Sequence, residues 1–595
     1  MAASRAARYA PYALYALFAL YFCWPLFEQP LALGSNDWDQ HLFYYGVVLK
    51  NVVEYGQMPF WNPWYCGGNV MWQNPQVALL SPVYPLALVM PLQLAMKINI
   101  VLHYWIGFAG MHVLLTRVIG LTFLPAVIYL ATLVTAAGAP AIHLRVGHSV
   151  FLPGFYLPLQ LYFFFEAFKT GEWKYLFLAA ITMALMVFNG GTHILPMSVA
   201  ALGTFAIVAS IARRTWRPLA FFVMFGAAAV AYSAPKLLPV AQFVTGEQFW
   251  DTRPEIEKPD VVTPEILKQT YLVPTERVGG RLAMQRHGWH EYGNYIGFGS
   301  AVALVIGLAW VLMRRSPSHH WFGISLAITA IVLFLLSLGE FSPFAPSVLS
   351  QRLPMFSNFR IPSRYTIPAL QFAALTLAWA FHSIVSRYRF PSWARVAVGI
   401  VCLAASAHLL IVNQFNFKGV FNQPPFDTGF RWMAGSREIA TDDQTSAYSA
   451  GSPMLRALVE HRAFFYCYES LQLYRASAPE RPHIFTEGTV RVSDVDFSPN
   501  RIAFNVFGGP EPSKVLMNYN WGPGWTSTAG PITLIGNPGK LATVAIAPGQ
   551  TGRFEFSFTP PGLYAGIAIF AIAAIASALA WRRRMRPIFS VPPPQ

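Results

Sequence analysis

Apolar runs long enough to cross a bilayer recur along most of the chain. A helical crossing needs about 20 apolar residues, and runs of that length predict about twelve membrane-spanning helices. The apolar run 77–91 is interrupted by Pro82, Pro85 and Pro91, so we interpret it as a re-entrant or interfacial piece, with a further span as the alternative. The predicted spans lie near residues 10–27, 94–115, 121–140, 149–168, 173–189, 194–212, 217–240, 292–313, 320–338, 364–383, 392–412 and 563–581.

The pattern changes between residues 430 and 560, where apolar runs become short and alternate with polar residues. Alternation with a period of two is typical of half-buried strands, and Pro and Gly separate these runs as they separate strands. We therefore expect a small, mostly-β domain of the sandwich type. The predicted strands lie at 489–495, 501–507, 514–519, 542–547 and 553–558.

Composition places the chain among polytopic membrane proteins. Of its 595 residues, 55% are hydrophobic and only 12% are charged, with a mean hydropathy of +0.41, whereas a soluble domain carries about 25% charged residues. The net charge of +15 does not indicate nucleic-acid binding, because the sequence has no recognisable nucleic-acid motif. Arg5 and Arg8 precede the first apolar run as in a signal peptide, but no small-residue cleavage site follows, so we expect a retained helix.

The basic residues fall in alternate loops between the predicted spans. If the N-terminus is cytoplasmic, every dense basic cluster lies on the inner side, as the positive-inside rule requires, and both chain ends are cytoplasmic. These clusters hold Arg117, Lys169, Lys174, Arg213, Arg214, Arg217, Arg314, Arg315, Arg387, Arg389, Arg395, Arg582, Arg583, Arg584 and Arg586. The other polar and titratable residues gather on the outer face, which indicates that the chemistry takes place there.

The first outer segment carries two acids ahead of an amphipathic run. Asp37 and Asp39 precede apolar residues at helical spacing, and Asn36 is suited to cap the helix. We interpret the run as a helix that lies on the membrane surface and presents carboxylates beside it. The alternative is a capped surface helix whose acids satisfy only backbone N–H groups. The aromatic residues that follow are of the type found at a bilayer interface: Trp61, Trp64 and Tyr65.

Six further residues on the predicted outer face can bind an anion or exchange a proton: Arg145, His148, His193, Lys236, Arg360 and Arg364. All of them except Arg145 have an ordinary alternative. Lys236 stands in an apolar run and can simply extend its ammonium to the outer interface. The two histidines are typical of loop hydrogen bonds, and Arg360 and Arg364 can be plain loop charges. His290 and Glu291 begin a predicted span, where capping a helix is their simplest role.

The four cysteines divide into two pairs. Cys23 and Cys402 fall in predicted spans and are interpreted as core residues. Cys66 and Cys467 fall outside, where disulfides persist, and a bond between them would tie the first outer loop to the β-rich domain. Because nothing in the sequence supports the geometry of such a bond, we expect two free thiols. The sequence has no CxxC motif that would indicate a zinc or redox site.

Several short motifs, taken together in their order, resemble the GT-C superfamily of membrane glycosyltransferases, and more closely the YfhO-like family. The motifs are DWDQ (37–40), GQMPFW (56–61), CGG (66–68), LSPVYP (80–85), GH (147–148), FRIPSR (359–364) and NYNWGPGW (518–525), ahead of a final span. Many superfamily members carry adjacent Asp and Glu in the first loop. Here the order is Asp-Trp-Asp, which leaves the choice of acid open.

The resemblance implies a GT-C-like transmembrane domain over residues 1–412, with a catalytic first outer loop at 28–93 and another outer loop at 241–291. An extracytoplasmic β-rich domain at 413–562 follows, and then a final transmembrane helix and basic cytoplasmic tail at 563–595. It also implies transfer of a sugar from a polyprenyl-phosphate donor to a glycan, lipid or protein acceptor. The reaction would take place at the outer face of the plasma or inner membrane, among membrane lipids and without nucleic acid.

Such a transfer needs a carboxylate base near the acceptor hydroxyl, and cations or N–H donors near the leaving phosphate. The sequence favours Asp39 as the base over Asp37, because Asn36 and Asp37 suit the helix N-terminus. The phosphate role falls to Arg145, Lys236, Arg360 and Arg364, with His148 and His193 as further substrate-binding candidates. A divalent metal is possible but not required. Residues two apart on a helix point about 200° apart, so joint coordination by both acids needs a non-helical segment.

Two other functions stay open at this point. A transporter or flippase of lipid-linked sugars would share the basic rim, but it should show inverted repeats with interrupted helices in matched positions. The sequence shows no such pairing. A non-catalytic envelope scaffold, whose β-rich domain binds a partner, would leave the clustered acids of the first loop unexplained.

Overall fold

The computed structural model describes the chain except residues 1, 248, 252–260, 275–287, 315–319, 354–355, 357–358, 429–439, 443–450, 465–466, 468–470, 474–481, 530–533, 536–540 and 583–595. Most of the predicted basic tail and part of the outer loop 241–291 therefore lie outside the described residues. The α-helices are Ala2–Cys23, Trp38–Val53, Val83–Ala87, Leu92–Val113, Leu124–Thr135, Gly138–Arg145, Leu157–Thr170, Trp173–Phe188, Ile194–Ala212, Arg217–Val244, Pro264–Leu272, Phe298–Met313, His320–Ser337, Pro346–Ser350, Thr366–Arg387, Ser392–Gln414, Pro453–Val459 and Leu563–Arg582. The strands are Leu33–Gly34, Trp61–Asn62, Asn69–Val70, Phe249–Asp251, Phe421–Gln423, Ala440–Asp442, Arg462–Phe464, Leu471–Leu473, Ile484–Glu487, Arg491–Ser498, Arg501–Phe507, Ser513–Asn520, Trp525–Ala529, Leu534–Ile535, Leu541–Ile546 and Thr551–Phe558.

Ten helical segments of the described chain are long and apolar enough to cross a membrane. They are Tyr9–Phe27, Leu92–Ile119, Leu124–Arg145, Ser149–Thr170, Ile194–Ala212, Arg217–Val244, His320–Ser337, Pro362–Arg387, Ser392–Phe417 and Leu563–Arg582. The two remaining predicted spans are apolar helices of 16 residues, Trp173–Phe188 and Phe298–Met313, which fall short of the usual length of about 20. The protein is therefore a polytopic α-helical membrane protein, and ten rather than twelve segments of its described residues are of sufficient length.

The helix ends that carry the basic clusters meet on one side of the bundle. The guanidinium carbon of Arg213 lies 4.9 Å from the ring centre of Trp321 and 5.7 Å from that of Phe168. Gly120, in the loop after Arg117, lies against His382, near the next basic loop. The polar segments that the sequence places on the outer face meet at the opposite end. The assignment of the basic end to the cytoplasm stays a prediction.

The proline-interrupted run 77–91 contains a single short helix, Val83–Ala87. The run begins against a neighbouring helix, because the backbone N–H of Leu79 donates to the Phe188 carbonyl at 2.6 Å. Leu88 and Val89, at its end, are 46% and 79% exposed. One short helix flanked by exposed apolar residues fits an interfacial piece and is too short to be a further span.

The C-terminal β-rich region is a sandwich of two four-stranded antiparallel sheets. The first sheet has the strand order Arg491–Ser498, Arg501–Phe507, Thr551–Phe558, Trp525–Ala529, and the second has the order Leu534–Ile535, Leu541–Ile546, Ser513–Asn520, Ile484–Glu487. Phe504 pairs with Phe554 in one sheet and Val515 with Val544 in the other, and all four side chains enter one shared core. The five strands predicted from alternation occur within three residues of their predicted bounds.

The first outer loop inserts Trp61 into the base of this sandwich. The ring centre of Trp61 lies 4.8 Å from that of Phe558. Gly522 leaves room for it, since a Cβ there would come within 2.9 Å of the indole ring. Trp61, Trp64 and Tyr65 are at most 1% exposed, so the prediction that they mark a bilayer interface is wrong. These rings are buried inside the protein.

Two asparagines of the sandwich satisfy the backbone of the same loop. Asn520 Nδ2 donates to the Cys66 carbonyl at 2.6 Å. Asn500 Oδ1 accepts from the Trp61 N–H at 3.0 Å, and Asn500 Nδ2 donates to the Met58 carbonyl at 2.7 Å. A buried loop needs such partners, because an unsatisfied buried polar group costs about 1–3 kcal/mol. The sandwich thus determines the path of the loop that carries the first acids.

A disulfide joins Cys66 of the first outer loop to Cys467, 401 residues further along the chain, with Cα atoms 4.7 Å apart. The expectation of two free thiols is therefore wrong. The neighbouring backbones are also paired, since the Cys66 N–H donates to the Phe464 carbonyl at 2.8 Å and the Phe464 N–H donates to the Trp64 carbonyl at 2.9 Å. Hydrogen bonds and a covalent bond together hold the loop against Phe464 and Cys467.

We expect Cys66→Ser to lower the stability of the detergent-purified protein, because losing a disulfide typically costs about 2–5 kcal/mol. The loss would appear as a lower thermal midpoint, and alkylation followed by mass spectrometry would detect a new free thiol at Cys467. Cys402→Ser is the matched control, because Cys402 is a free cysteine, and it should leave the thermal midpoint nearly unchanged. Alkylation of both Cys66 and Cys467 in the unreduced wild type would contradict the bond.

Candidate functional site

The helix Trp38–Val53 is buried inside the protein, so its interpretation as a helix on the membrane surface is wrong. All of its residues from 38 to 51 are buried. Burial extends to its polar positions, where the Lys50 ammonium pairs with Glu54 at 2.6 Å and Asn51 donates to a backbone carbonyl of the first loop at 3.3 Å. The two acids at the start of this helix therefore face protein groups rather than lipid headgroups.

Asp37 and Asp39 have different partners, as expected for two positions about 200° apart around a helix. Asp37 occupies the N-cap position of the helix. Asn36, the predicted cap, precedes it with a φ of 56°, in the left-handed region that Asn tolerates better than most residues. The cap prediction is therefore displaced by one residue.

Asp39 binds the N-terminus of a helix from the distant C-terminal part of the chain. Its carboxylate oxygens accept the backbone N–H groups of Met454 at 2.9 Å and Leu455 at 3.0 Å, at the start of the helix Pro453–Val459. Burial raises the pKa of Asp39 to about 7, while the two N–H donors act to lower it. With 3% of the residue exposed, both oxygens of this acid are engaged and shielded from solvent.

Asp37 instead pairs with a histidine. Its Oδ2 lies 3.2 Å from His148 Nε2, and 25% of the Asp37 side chain is exposed. Gly147 permits this approach, because its φ is +99° and a Cβ there would lie 2.3 Å from the backbone nitrogen of Trp38. The Asp37 N–H also donates to the Val146 carbonyl at 3.1 Å. The turn before His148 therefore packs directly on the helix start and holds the carboxylate against the imidazole.

A second histidine faces the first. His143 Nδ1 lies 3.1 Å from His148 Nδ1, and the His148 backbone N–H donates to the His143 carbonyl at 3.0 Å. The His143 ring stacks on Phe151 with 3.8 Å between ring centres. His143 is 1% exposed, whereas 16% of the His148 side chain is exposed. His148 thus bridges a buried histidine and a partly exposed carboxylate.

A buried ion pair lies beside the two histidines. Arg364 Nε and Nη2 donate to the two carboxylate oxygens of Glu291 at 2.7 and 2.6 Å, and 4% of the Glu291 side chain is exposed. Burial pushes the pKa of Glu291 upward, but the Arg364 guanidinium holds it well below its usual range. The expectation that Glu291 caps a span is wrong, because the next long helix begins at Phe298.

The segment that carries Glu291 is fixed from two sides. Ser363 Oγ donates to the Glu291 carbonyl at 2.7 Å. The Gly138 N–H donates to the Tyr295 carbonyl at 3.1 Å, and a Cβ at Gly138 would lie 2.4 Å from the Tyr295 nitrogen. Only glycine, which has no Cβ, permits this close approach. As a result, Glu291 lies between the helix that carries His143 and the segment that carries Arg364.

Three of the other predicted residues lie on or near this cluster. The ring centre of His193 lies 5.5 Å from that of Phe151, so His193 joins the aromatic stack through Phe151. Arg145 ends the helix Gly138–Arg145, close in sequence to His148. Arg360 precedes Arg364 in the loop that enters the next span. Both Arg145 and Arg360 are half-buried.

Lys236 binds the backbone of the first outer loop. Its ammonium donates to the Trp72 and Asn74 carbonyls, both at 2.7 Å, and Trp72 Nε1 donates to the Pro235 carbonyl at 2.8 Å. Lys236 is 0% exposed, so the alternative of an ammonium reaching the interface is wrong. The contacts give Lys236 a role in positioning the turn 72–74.

Three members of the cluster are not among the site residues predicted from the sequence: His143 is not proposed as a site residue, and His290 and Glu291 are interpreted as helix caps. His290 Nε2 lies 3.6 Å from Glu291 Oε1, and the ring centres of His290 and His148 are 5.3 Å apart. A signal for Glu291 was present, because acids are scarce in this chain, with 27 Asp and Glu against 42 Lys and Arg. The spacing of His143 and His148, five residues apart across a glycine turn, was a second signal.

The arrangement combines a carboxylate that can accept a proton with groups that can hold a cation. Asp37 is partly exposed and is oriented by His148. One ligand atom each from His143, His148 and Glu291 lie within 4.8 Å of one another. Arg364 supplies a positive charge that is paired with Glu291. Proton transfer and anion or cation binding are thus available at one end of the helix bundle.

Comparison with known proteins gives one set of similar structures. No protein-family model and no curated protein matches the chain. Among solved structures, the chain is similar to the arabinofuranosyltransferase AftD from Mycobacteria, with 16% identity and a TM-score of 0.39 over 68% of this chain and 26% of that chain. Two classes of an AftD mutant match with a TM-score of 0.44, at 15% and 16% identity, over 92% of this chain and 41% of theirs. This chain therefore spans less than half the length of the AftD chains.

Proposed function

We propose that this protein is an integral-membrane glycosyltransferase. It transfers a sugar from a polyprenyl-phosphate donor to a hydroxyl group of a glycan, lipid or protein acceptor. The reaction takes place at the extracytoplasmic face of the plasma or inner membrane. In this proposal Asp37 is the general base that accepts the proton of the acceptor hydroxyl. The resemblance of the sequence motifs to GT-C enzymes suggests the reaction, and the surroundings of Asp37 support it.

The observation that carries the proposal is the pair of Asp37 and His148. A general base has to lie within hydrogen-bond reach of the proton that it accepts. The Asp37 side chain is 25% exposed, so an acceptor hydroxyl can reach it, whereas both oxygens of Asp39 accept backbone N–H groups in a buried position. Our assignment of the two acids is therefore the reverse of the one that the sequence favours. Asp37 acts as the base, and Asp39 anchors the C-terminal part of the chain.

The leaving phosphate of such a donor needs positive charge beside it. Arg364 commits Nε and Nη2 to Glu291, which suits it to hold the site together rather than to bind the donor. We propose Arg360 and Arg145 as the phosphate-binding residues, since both are half-buried in segments that lead into the cluster. His193 then lines the same region from its place on the aromatic stack.

Two observations support the extracytoplasmic assignment. The cluster lies at the bundle end opposite to the basic helix ends, and the positive-inside rule favours an extracytoplasmic position for that end. A lipid-linked donor would present its phosphate at the rim of the bilayer, where such a site can reach it. The disulfide between Cys66 and Cys467 supports the same assignment, because disulfides persist in oxidising compartments.

The test is sugar transfer by the purified full-length protein in liposomes of known orientation. A panel of short-chain polyprenyl-phosphate sugars would be offered with glycan, lipid and peptide acceptors, and mass spectrometry would measure the glycosylated product and the released polyprenyl phosphate. We expect one donor class to give both products, and only when the donor is in the leaflet on the disulfide side. Movement of a labelled donor between leaflets without transfer would favour a transporter of lipid-linked sugars. Absence of transfer from every donor would contradict the proposal.

A further inference from the structure

We propose that His143, His148 and Glu291 form a binding site for a divalent transition-metal cation, with Zn2+ as the best-matched ion. One ring nitrogen from each histidine and one carboxylate oxygen of the glutamate all lie within 4.8 Å of one another. Two imidazoles and one carboxylate, with a further position open, form a donor set of catalytic zinc sites. Imidazole nitrogens select transition ions over Mg2+ and Ca2+, which prefer oxygen ligands.

The spacing of the two histidine nitrogens fits one shared ion. The Nδ1 atoms of His143 and His148 lie 3.1 Å apart. Two nitrogens that bind one tetrahedral zinc ion at about 2.0–2.1 Å lie about 3.3 Å from each other. The competing interpretation is a single N–H···N hydrogen bond between neutral imidazoles. For Glu291 to join the same ion, its carboxylate has to move toward the histidines by about 1–2 Å.

His148 carries a second feature of a metal ligand. Its Nε2 lies 3.2 Å from Asp37 Oδ2. A ligating histidine usually donates its other ring N–H to a carboxylate, which orients the ring and fixes its tautomer. With the Nε2 proton given to Asp37, the lone pair of His148 is on Nδ1, the atom that faces His143. Two histidines that only share a hydrogen bond would not need a carboxylate such as that of Asp37 to orient one of the rings.

The charges around the histidines also suit a cation. Asp37 and Glu291 contribute two negative charges when ionised, and Arg364 contributes one positive charge. Two carboxylates so close to a pair of imidazoles would attract a cation to the histidine nitrogens. Each oxygen of Glu291 accepts one hydrogen bond from Arg364. Because a carboxylate oxygen offers about two lone-pair directions, one direction on each oxygen remains for an ion.

Such an ion would have a defined place in sugar transfer. At its open position it would bind an oxygen of the donor phosphate and neutralise the charge that develops as the phosphate leaves. This role rests on the proposed function, whereas the existence of the site does not.

The test measures metal binding to the full-length, detergent-purified protein, after removal of the affinity tag and of bound metals by a chelator. Equilibrium dialysis against Zn2+ followed by elemental analysis gives the stoichiometry, and visible absorption with Co2+ reports the coordination. We expect one ion per chain, with much weaker binding of Mg2+ and Ca2+. His148→Asn and Glu291→Gln should weaken Zn2+ binding by at least about 100-fold, and Asp37→Asn by about 10–100-fold through the orientation of His148.

His193→Asn is the matched control, because His193 contacts Phe151 as His143 does but lies outside the three-residue ligand set. It should bind Zn2+ like the wild type. Equal Zn2+ affinity in the wild type and His148→Asn would mean an adventitious ion only and would overturn the proposal, as would the absence of binding to the wild type. If Glu291→Gln does not fold, His148→Asn decides the outcome, since His148 is partly exposed. Sugar transfer is not measured here, so failure of this proposal leaves the proposed function intact.

Discussion

We expect Asp37→Asn to transfer sugar about 10²–10⁴-fold more slowly than the wild type, which is the usual loss when a positioned general base is removed. The amide is nearly the same size as the carboxylate, and its oxygen can still accept a hydrogen bond from His148. It cannot take the proton of the acceptor hydroxyl. The measurement is kcat at saturating donor in the liposome assay, with the thermal midpoint as evidence that the variant is folded.

Asp39→Asn is the matched control, two residues along the same helix. An amide can accept only one of the two N–H groups from Met454 and Leu455, so we expect a loss of stability of about 1–3 kcal/mol and a kcat within a few-fold of the wild type. An inactive Asp39→Asn beside an active Asp37→Asn would return the base role to Asp39, which the sequence favours. Full activity in both variants would remove a carboxylate base from this loop and strengthen the transporter hypothesis.

Breaking the pair of Glu291 and Arg364 should destabilise the protein by about 3–5 kcal/mol, because the remaining charge would stay buried without a partner. Glu291→Gln leaves the guanidinium unpaired, and Arg364→Met leaves the carboxylate unpaired. A double variant with Met at both positions should recover much of the loss, since packed apolar side chains can replace a buried ion pair. Thermal midpoints in detergent would measure all three changes.

The partly exposed ion pairs of Arg501 provide the comparison. Arg501 contacts Asp496 at 2.7 Å and Glu555 at 2.8 Å, with 34% of its side chain exposed. Arg501→Met should cost less than about 1 kcal/mol, because solvent screens exposed pairs. If Arg364→Met and Arg501→Met lower the thermal midpoint equally, the buried pair of Glu291 and Arg364 contributes no more to stability than the pairs of Arg501. The prediction would then be wrong.

The pair of Glu291 and Arg364 also makes the stability of the protein depend on pH. The pKa of Glu291 in the folded protein lies below its ordinary value of 4.5, so the folded state binds this proton more weakly than the unfolded chain does. The stabilisation is present above the ordinary pKa and is lost as the pH falls through the folded pKa. The wild type should therefore lose thermal stability on acidification below about pH 4.5, and Glu291→Gln should lack this component.

The sequence predicts the spans and the sandwich strands well because both depend on local periodicity. A run of about 20 apolar residues has few stable alternatives to a membrane helix, and an alternating strand such as Arg501–Phe507 buries one face in any sandwich. The length of the membrane helices was predicted less well than their apolar character. Trp173–Phe188 and Phe298–Met313 are apolar enough but stop short, each near a basic loop where charged residues end the apolar run.

The candidate site was only partly predictable, because its geometry depends on residues far apart in the chain. Asp37, His148 and Arg364 could be identified as outer-face residues with reactive side chains. Their partners could not, since the pairing of Arg364 with Glu291 crosses 73 residues and the engagement of Asp39 by the Met454 N–H crosses 415. The sequence favours Asp39 as the base because nothing near it in the chain shows that both of its oxygens are already engaged.

The long-range contacts of the first outer loop set an order for biosynthesis. Asp39, Trp61 and Cys66 of this loop each have a partner beyond residue 450, so these partners are made long after the loop. At about 5–20 residues per second of synthesis, Cys66 waits roughly 20–80 s for Cys467, 401 residues later. During that interval the loop has exposed aromatic side chains and an unpaired thiol, which makes it a natural substrate for chaperones and thiol oxidases. The loop that carries the base of the proposed reaction is thus made well before the distant segments that hold the loop in place.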